Sequence, residues 1–209
     1  NLRYFDAGNN FCQVVSVDNP QVYPDVAKTY RRTLALVSID DLNSYVVDLF
    51  EVEGGEQLDY FLHGSADEAQ KVAISSTVPG PSFSPLPTLL PAGYQFTQGR
   101  SENDHNMTKV GHAYGYLTDL SKSRCVQRSV ISLDYVFDQP DAGLRVDTVA
   151  EPGDELVLGA NPAIRQSKDD DNKLDQYQRR FAMLRRQGGK ALFASVIEPF
   201  GDKPLITSM

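Results

Sequence analysis

The sequence predicts an all-β protein in which multi-stranded antiparallel sheets pack as a sandwich. Three observations carry this expectation. Residues Tyr30 to Gly64 (YRRTLALVSIDDLNSYVVDLFEVEGGEQLDYFLHG) hold three short runs rich in β-branched and aromatic residues, separated by Asp-Asp and Gly-Gly breaks. Such runs are the sequence form of an antiparallel meander. Their apolar residues cluster without the 3.6-residue period of a helix. The same short-run-and-break organisation recurs along the chain, giving roughly a dozen strands and no helix of three turns. No repeat marks a propeller, and the layout implies stacked sheets of a super-sandwich kind.

Taken in order, Asn1 to Asn10 is polar and reads as a loop or a sheet edge. Phe11 to Val17 alternates and reads as a strand, and Pro20 and Pro24 mark the bends that follow, because proline cannot donate to a ladder. The meander then comprises Tyr30–Val37, Ser44–Val52 and Leu58–His63, with Lys71–Ser75 as the next strand. Thr77 to Tyr94 carries five prolines and predicts a long extended excursion, of the kind that covers a surface or lines a site. A sheet-to-sheet junction is expected near residues 77–110. Strand character returns at Gly111–Leu120 and Arg124–Phe137. Leu144–Thr148 and Glu155–Leu158 read as a hairpin, as do Phe181–Arg186 and Ala191–Pro199 around Gln187-Gly188-Gly189-Lys190, and Leu205–Met209 as the start of one more strand.

At 209 residues the chain is long enough for a sizeable core. A formal net charge of -8 argues against binding a nucleic-acid backbone. An anionic polysaccharide would need a local basic patch, for which Arg31-Arg32, Arg179-Arg180 and Arg185-Arg186 are the candidates. No apolar run is long enough to span a bilayer, and Asn1 to Asn10 has no apolar signal-peptide core. Cys12 and Cys125 fit either a pair or two free thiols.

Three stretches also resemble a known family. They are Tyr30-Arg31-Arg32-Thr33, Tyr45-Val46-Val47-Asp48 with Glu53-Gly54-Gly55, and Asp59-Tyr60-Phe61-Leu62-His63-Gly64. Together with a Gly-Lys preceding the run Phe193 to Pro199, they resemble the C-terminal β-sandwich region of heparinase II/III-like polysaccharide lyases. The resemblance implies a region, residues 1–209, of a larger periplasmic or extracellular enzyme whose N-terminal α/α toroid packs on the sandwich. The implied reaction is β-elimination on an acidic, uronate-containing polysaccharide, with a Tyr or His base removing the C5 proton. Much of that chemistry lies on the toroid and in the cleft between domains, so the sandwich is expected to be inactive alone.

His63 shares a strand face with Phe61 and Asp59, where it can orient a carboxylate, bind a metal or simply cap the turn at Gly64. His112 precedes Tyr114 and Tyr116, a strip suited to stacking on a sugar ring or to packing in a core. The candidate substrate-binding residues are therefore His63, His112, Tyr114, Tyr116 and Arg32. No cofactor is required by any motif. Zinc could use His63, His105 and His112 with an Asp, although no close-spaced trio occurs, and calcium could be drawn to Asp169-Asp170-Asp171, which lacks EF-hand spacing. Neither a nucleophile elbow nor a phosphate loop is present. The alternative function is a carbohydrate-binding or cell-surface adhesion module anchored by Tyr94, Tyr114 or Tyr116. A third is a structural domain with one apolar face for a partner.

Overall fold

Strand periodicity decides which side chains meet. In Gln57–His63, Leu58, Tyr60 and Leu62 are buried while Gln57, Asp59, Phe61 and His63 point to the opposite face, the period of two that a pleated strand imposes. Repeated along the chain, this alternation builds the fold seen in a computed structural model that describes residues 1–65, 70–76, 82–96, 99–100, 109–110, 112–137, 142–162 and 178–209. The strands are β1 (Leu2–Asp6), β2 (Cys12–Asp18), β3 (Thr29–Ser38), β4 (Ser44–Glu53), β5 (Gln57–His63), β6 (Gln70–Ser76), β7 (Ser84–Pro85) and β8 (Gly99–Arg100). They continue with β9 (Lys109–Val110), β10 (Thr118–Arg124), β11 (Ser129–Phe137), β12 (Gly143–Ala150), β13 (Glu155–Pro162), β14 (Gln178–Gln187) and β15 (Lys190–Phe200). The described residues add two short 3-10 turns, Pro20–Val22 and Ala113–Tyr116, and no α-helix.

The protein is an all-β sandwich. One antiparallel sheet of eight strands runs in the order β1-β2-β3-β4-β15-β12-β11-β6, and a second of five in the order β5-β14-β13-β10-β7. Between them lies an apolar core in which Leu133, Tyr135 and Phe193 of the large sheet meet Tyr60, Leu156 and Leu184 of the small one. Tyr60 and Phe193 stack across the gap, ring centroids 5.0 Å apart. A second, smaller core lies on the other face of the small sheet, where residues 82–96 and 112–120 cover Phe181, Met183 and Val157 with Leu86, Leu89, Leu117 and Leu120. The proline-rich excursion does cover a surface.

Several local expectations are corrected. The meander is a hairpin of β3 and β4 only, because β5 leaves for the small sheet and pairs with β14. The two expected hairpins after residue 143 are also absent. β12 pairs with β11 and β15 while β13 pairs with β10 and β14, and β14 and β15 likewise lie in different sheets. The Gly-rich breaks are thus corners between layers. Gly54 and Gly188 have φ of 127° and 118°, values that L side chains avoid, and the two corners are joined by Gly54 N–H donating to Gly189 O at 2.7 Å. Residues 113–116 form a 3-10 turn where a strand was expected, and Arg124–Phe137 divides into the end of β10 and β11. Leu205–Met209 forms no strand; the Leu205 and Ile206 amides instead donate to the buried Glu198 carboxylate. Cys12 and Cys125 are both free, and burial pushes the Cys125 thiol up to about 11.

The large sheet is wider than the small one. The main core draws no buried residue from β1, β2 or β3. Register places Leu2, Phe5, Val15, Val17, Leu34 and Leu36 on the same face as Arg32 and Asp48, which is the face that β5 and β14 cover further along. Leu2 and Phe5 are 64% and 65% exposed there. No helix among the described residues is long and apolar enough to cross a membrane.

Candidate functional site

Three of the five candidate residues converge. His63 on β5 stacks on Phe61 at 5.4 Å, Phe61 lies 6.0 Å from Tyr114, and Tyr114 lies 5.1 Å from His112, which meets Tyr94 at 5.4 Å. The result is a strip of rings along the outer face of the small sheet. Strand alternation supplies His63 and Phe61, and the 3-10 turn swings Tyr114 back onto them. His112 caps that turn, its Nδ1 accepting the Tyr114 N–H at 3.2 Å. Tyr116 is not in the strip, since it packs edge-on against Phe96 at 4.9 Å.

Arg32 is placed elsewhere, on the core-facing side of the large sheet where cover by the small sheet ends. It forms two bonds to Asp48 at 2.9 and 2.5 Å, and the Tyr60 hydroxyl donates to the same carboxylate at 2.7 Å. Asp48 is completely buried. This bidentate pairing holds the Arg32 guanidinium above its usual pKa, despite partial burial. Arg32 is committed to an internal carboxylate.

The Arg185-Arg186 pair proves to be structural as well. Arg185 grips Asp59 with two bonds at 2.8 Å and Arg186 grips Asp154 at 2.9 and 2.7 Å. All four side chains are at most 13% exposed. Arg186 also lies over the Phe193 ring at 4.9 Å. As a candidate basic patch this pair is corrected: alternation sends Arg185 and Arg186 to opposite faces of β14, and each meets an aspartate.

The strip's titratable groups have distinct states. The Tyr114 hydroxyl donates to Asp59 Oδ2 in a short bond, and burial with that carboxylate raises its pKa, so it is a poor proton acceptor at neutral pH. Tyr60 is likewise raised, by burial first and then by Asp48. His63 moves the other way. The body of its ring lies against Phe61 and Phe181 while an edge meets solvent. Burial and the nearby Arg179 charge lower its pKa, and the neighbouring Asn161 amide opposes them. A neutral imidazole beside a guanidinium can accept a proton while the cation holds an anion.

Arg179 and Asn161, cross-strand partners, are the residues that sequence reasoning passed over. Arg179 Nε and Asn161 Oδ1 are both buried without a hydrogen-bond partner. The Arg179-Arg180 doublet was the one available signal, and it did not say which arginine would join His63.

Among the described residues no group of three or more His, Cys, Asp or Glu side chains could hold a metal ion. His105 and Asp169-Asp170-Asp171 lie outside those residues, as do residues 77–81, 97–98 and 101–108 of the expected junction at 77–110. In comparisons with known proteins, no protein-family model and no curated sequence matches this chain.

Proposed function

We propose that this chain is the C-terminal β-sandwich portion of a heparinase II/III-like lyase, a wall of the substrate cleft that is inactive without its helical domain. The observation that carries the reading is the strip His63–Phe61–Tyr114–His112 with Arg179 beside it. Flat rings suit the apolar faces of sugars, and a lone guanidinium suits a uronate carboxylate. The uncovered apolar face of β1–β3 is where a helical toroid would pack, since exposed patches of this kind mark interaction surfaces. On this reading the protein works in the periplasm or outside the cell.

The test is an ultraviolet assay for the unsaturated uronate product, with heparan sulfate, chondroitin and alginate as substrates. Activity is expected from this chain joined to its helical domain and not from the chain alone, and His63→Ala and Arg179→Ala should reduce it. Product from the chain alone would refute the wall assignment. Silence in both forms would refute the lyase reading. A second reading, a carbohydrate-binding or adhesion module, is favoured by Tyr94, 44% exposed at the end of the strip. Sugar binding without elimination would select it.

A further inference from the structure

We propose that the cleft at the free edge of β5 is a binding site for a neutral pyranose ring, one unit of an uncharged oligosaccharide. This site meets the His63 strip only at Tyr114 and does not rest on the lyase reading. The cleft encloses about 310 Å³, the low end of the range for small-molecule sites. Its floor is the core-facing side of the large sheet, where Tyr30, Phe50 and Phe193 lie. Its roof is the loop 23–27, and Asp59 with Tyr114 closes one end.

Ring geometry suits a sugar. Tyr23 meets Tyr30 edge-on at 5.6 Å, and Tyr30 meets Phe50 edge-on at 4.9 Å. Successive edge-on rings, at interplanar angles of 63° and 86°, present both faces and edges, matching a pyranose with apolar C–H faces and a hydroxyl rim. The lining also includes residues with polar groups: Gln57, Asp59, Tyr23 and Tyr30. Among the described residues Asp59 Oδ1 accepts only from Arg185 Nε, at 2.8 Å, which leaves a lone pair for a ligand hydroxyl.

Charge selects a neutral ligand. Among the described residues, Asp59 is the only ionisable acid or base lining the cleft apart from tyrosine, and the bidentate Arg185 neutralises it. An anion would find no free cation in that lining, and a cation would compete with Arg185. Length argues against an added peptide strand. Among the described residues β5 pairs with β14 alone, but the cleft touches its edge only over Gln57–Asp59, shorter than a usual strand pairing.

The roof depends on Gly54. A Cβ there would lie 2.0 Å from Val26 O, so Gly54→Ala must push the loop away. Tyr23 is 54% exposed, and Tyr23→Ala removes a wall ring without opening the core.

The experiment is saturation-transfer NMR on the full chain. Methyl β-glucoside, cellotriose and maltotriose serve as neutral probes, tri-galacturonate as the anionic probe, and a phenylalanine-containing tripeptide as the aromatic one. Neutral saccharides should show transfer, and Tyr23→Ala should weaken the best of them about five- to tenfold. Gly54→Ala should weaken it too, while Val126→Ala, an exposed apolar position outside the cleft, should leave it unchanged. If Gly54→Ala does not fold, Gln57→Ala takes its place. Absence of transfer from every neutral saccharide overturns the proposal. So does transfer indifferent to Tyr23→Ala, or preference for tri-galacturonate or the peptide. A negative elimination assay leaves this proposal standing, so the two readings fail separately.

Discussion

The two halves of the large sheet are made of the same kinds of strand, yet they end in opposite environments. Where β5, β13 and β14 lie over β11, β12 and β15, the side chains of Leu133, Tyr135 and Phe193 are at most 1% exposed. Where β1–β3 run on beyond the small sheet, Leu2, Phe5 and Phe11 are 64%, 65% and 73% exposed. Hydrophobic character is similar on both sides, so strand composition does not decide burial. A second layer does, and its width stops at Arg32. The charges differ less. Asp48 and Asp18 are both buried and each holds an arginine that is about half exposed, Arg32 at 47% and Arg3 at 53%, but only Asp48 also accepts a buried phenol, from Tyr60.

Breaking the covered half should cost most. Phe193→Ala removes a ring that stacks on Tyr60 and carries Arg186, and should cost about 3–5 kcal/mol in denaturant unfolding. Asp48→Ala leaves a buried phenol and a guanidinium without their acceptor. It should cost roughly 2–3 kcal/mol by the same measurement, and more than Asp18→Ala. The corners between layers come next. Gly188 has φ +118°, and the position its added methyl would take is open space. Gly188→Ala should therefore cost about 1–2 kcal/mol from backbone strain alone.

Acid should weaken the small-sheet side through His63. Its folded pKa lies below its unfolded value, so the unfolded chain binds more protons as pH falls. The stability that neutral His63 contributes is present above its unfolded pKa of about 6.5 and is lost as pH drops through the lower folded value. Denaturant midpoints at neutral and mildly acidic pH should therefore differ, and by less in His63→Gln. The smallest effect belongs to the overhang, where Phe5→Ser should change stability by no more than about 0.5 kcal/mol. If Phe5→Ser matched Phe193→Ala in cost, the two halves would not differ in cover and the comparison would fail.

Much of the site was readable only in fragments. The shared face of Asp59, Phe61 and His63 follows from strand alternation, and the structure keeps it. Their meeting with Tyr114 does not, because it depends on a 3-10 turn more than forty positions later, on a segment whose residues also suit a strand. Arg32 was a reasonable anion-binding candidate from its place in a basic doublet. Its partner Asp48 lies on the neighbouring strand at a position that only the β3–β4 register brings close. Arg179 was indistinguishable from Arg180 until β14 acquired a buried face.

Local chemistry is enough to make this chain all-β: β-branched and aromatic runs favour pleated strands, and Gly, Pro and Asp interrupt them. Strands β2 to β6 and β11 to β15 are found close to their expected positions for that reason, whereas β7, β8 and β9 fall where no strand was expected. Which layer each strand joins is another matter. A Gly-Gly break reads alike whether it returns the chain to its neighbour or turns it into the opposite sheet, since both need positive φ and little side chain. Only the packing of two sheets, with Tyr60 on Phe193 and each arginine on its aspartate, distinguishes corner from hairpin. That same packing leaves one apolar face and one aromatic cleft open to solvent.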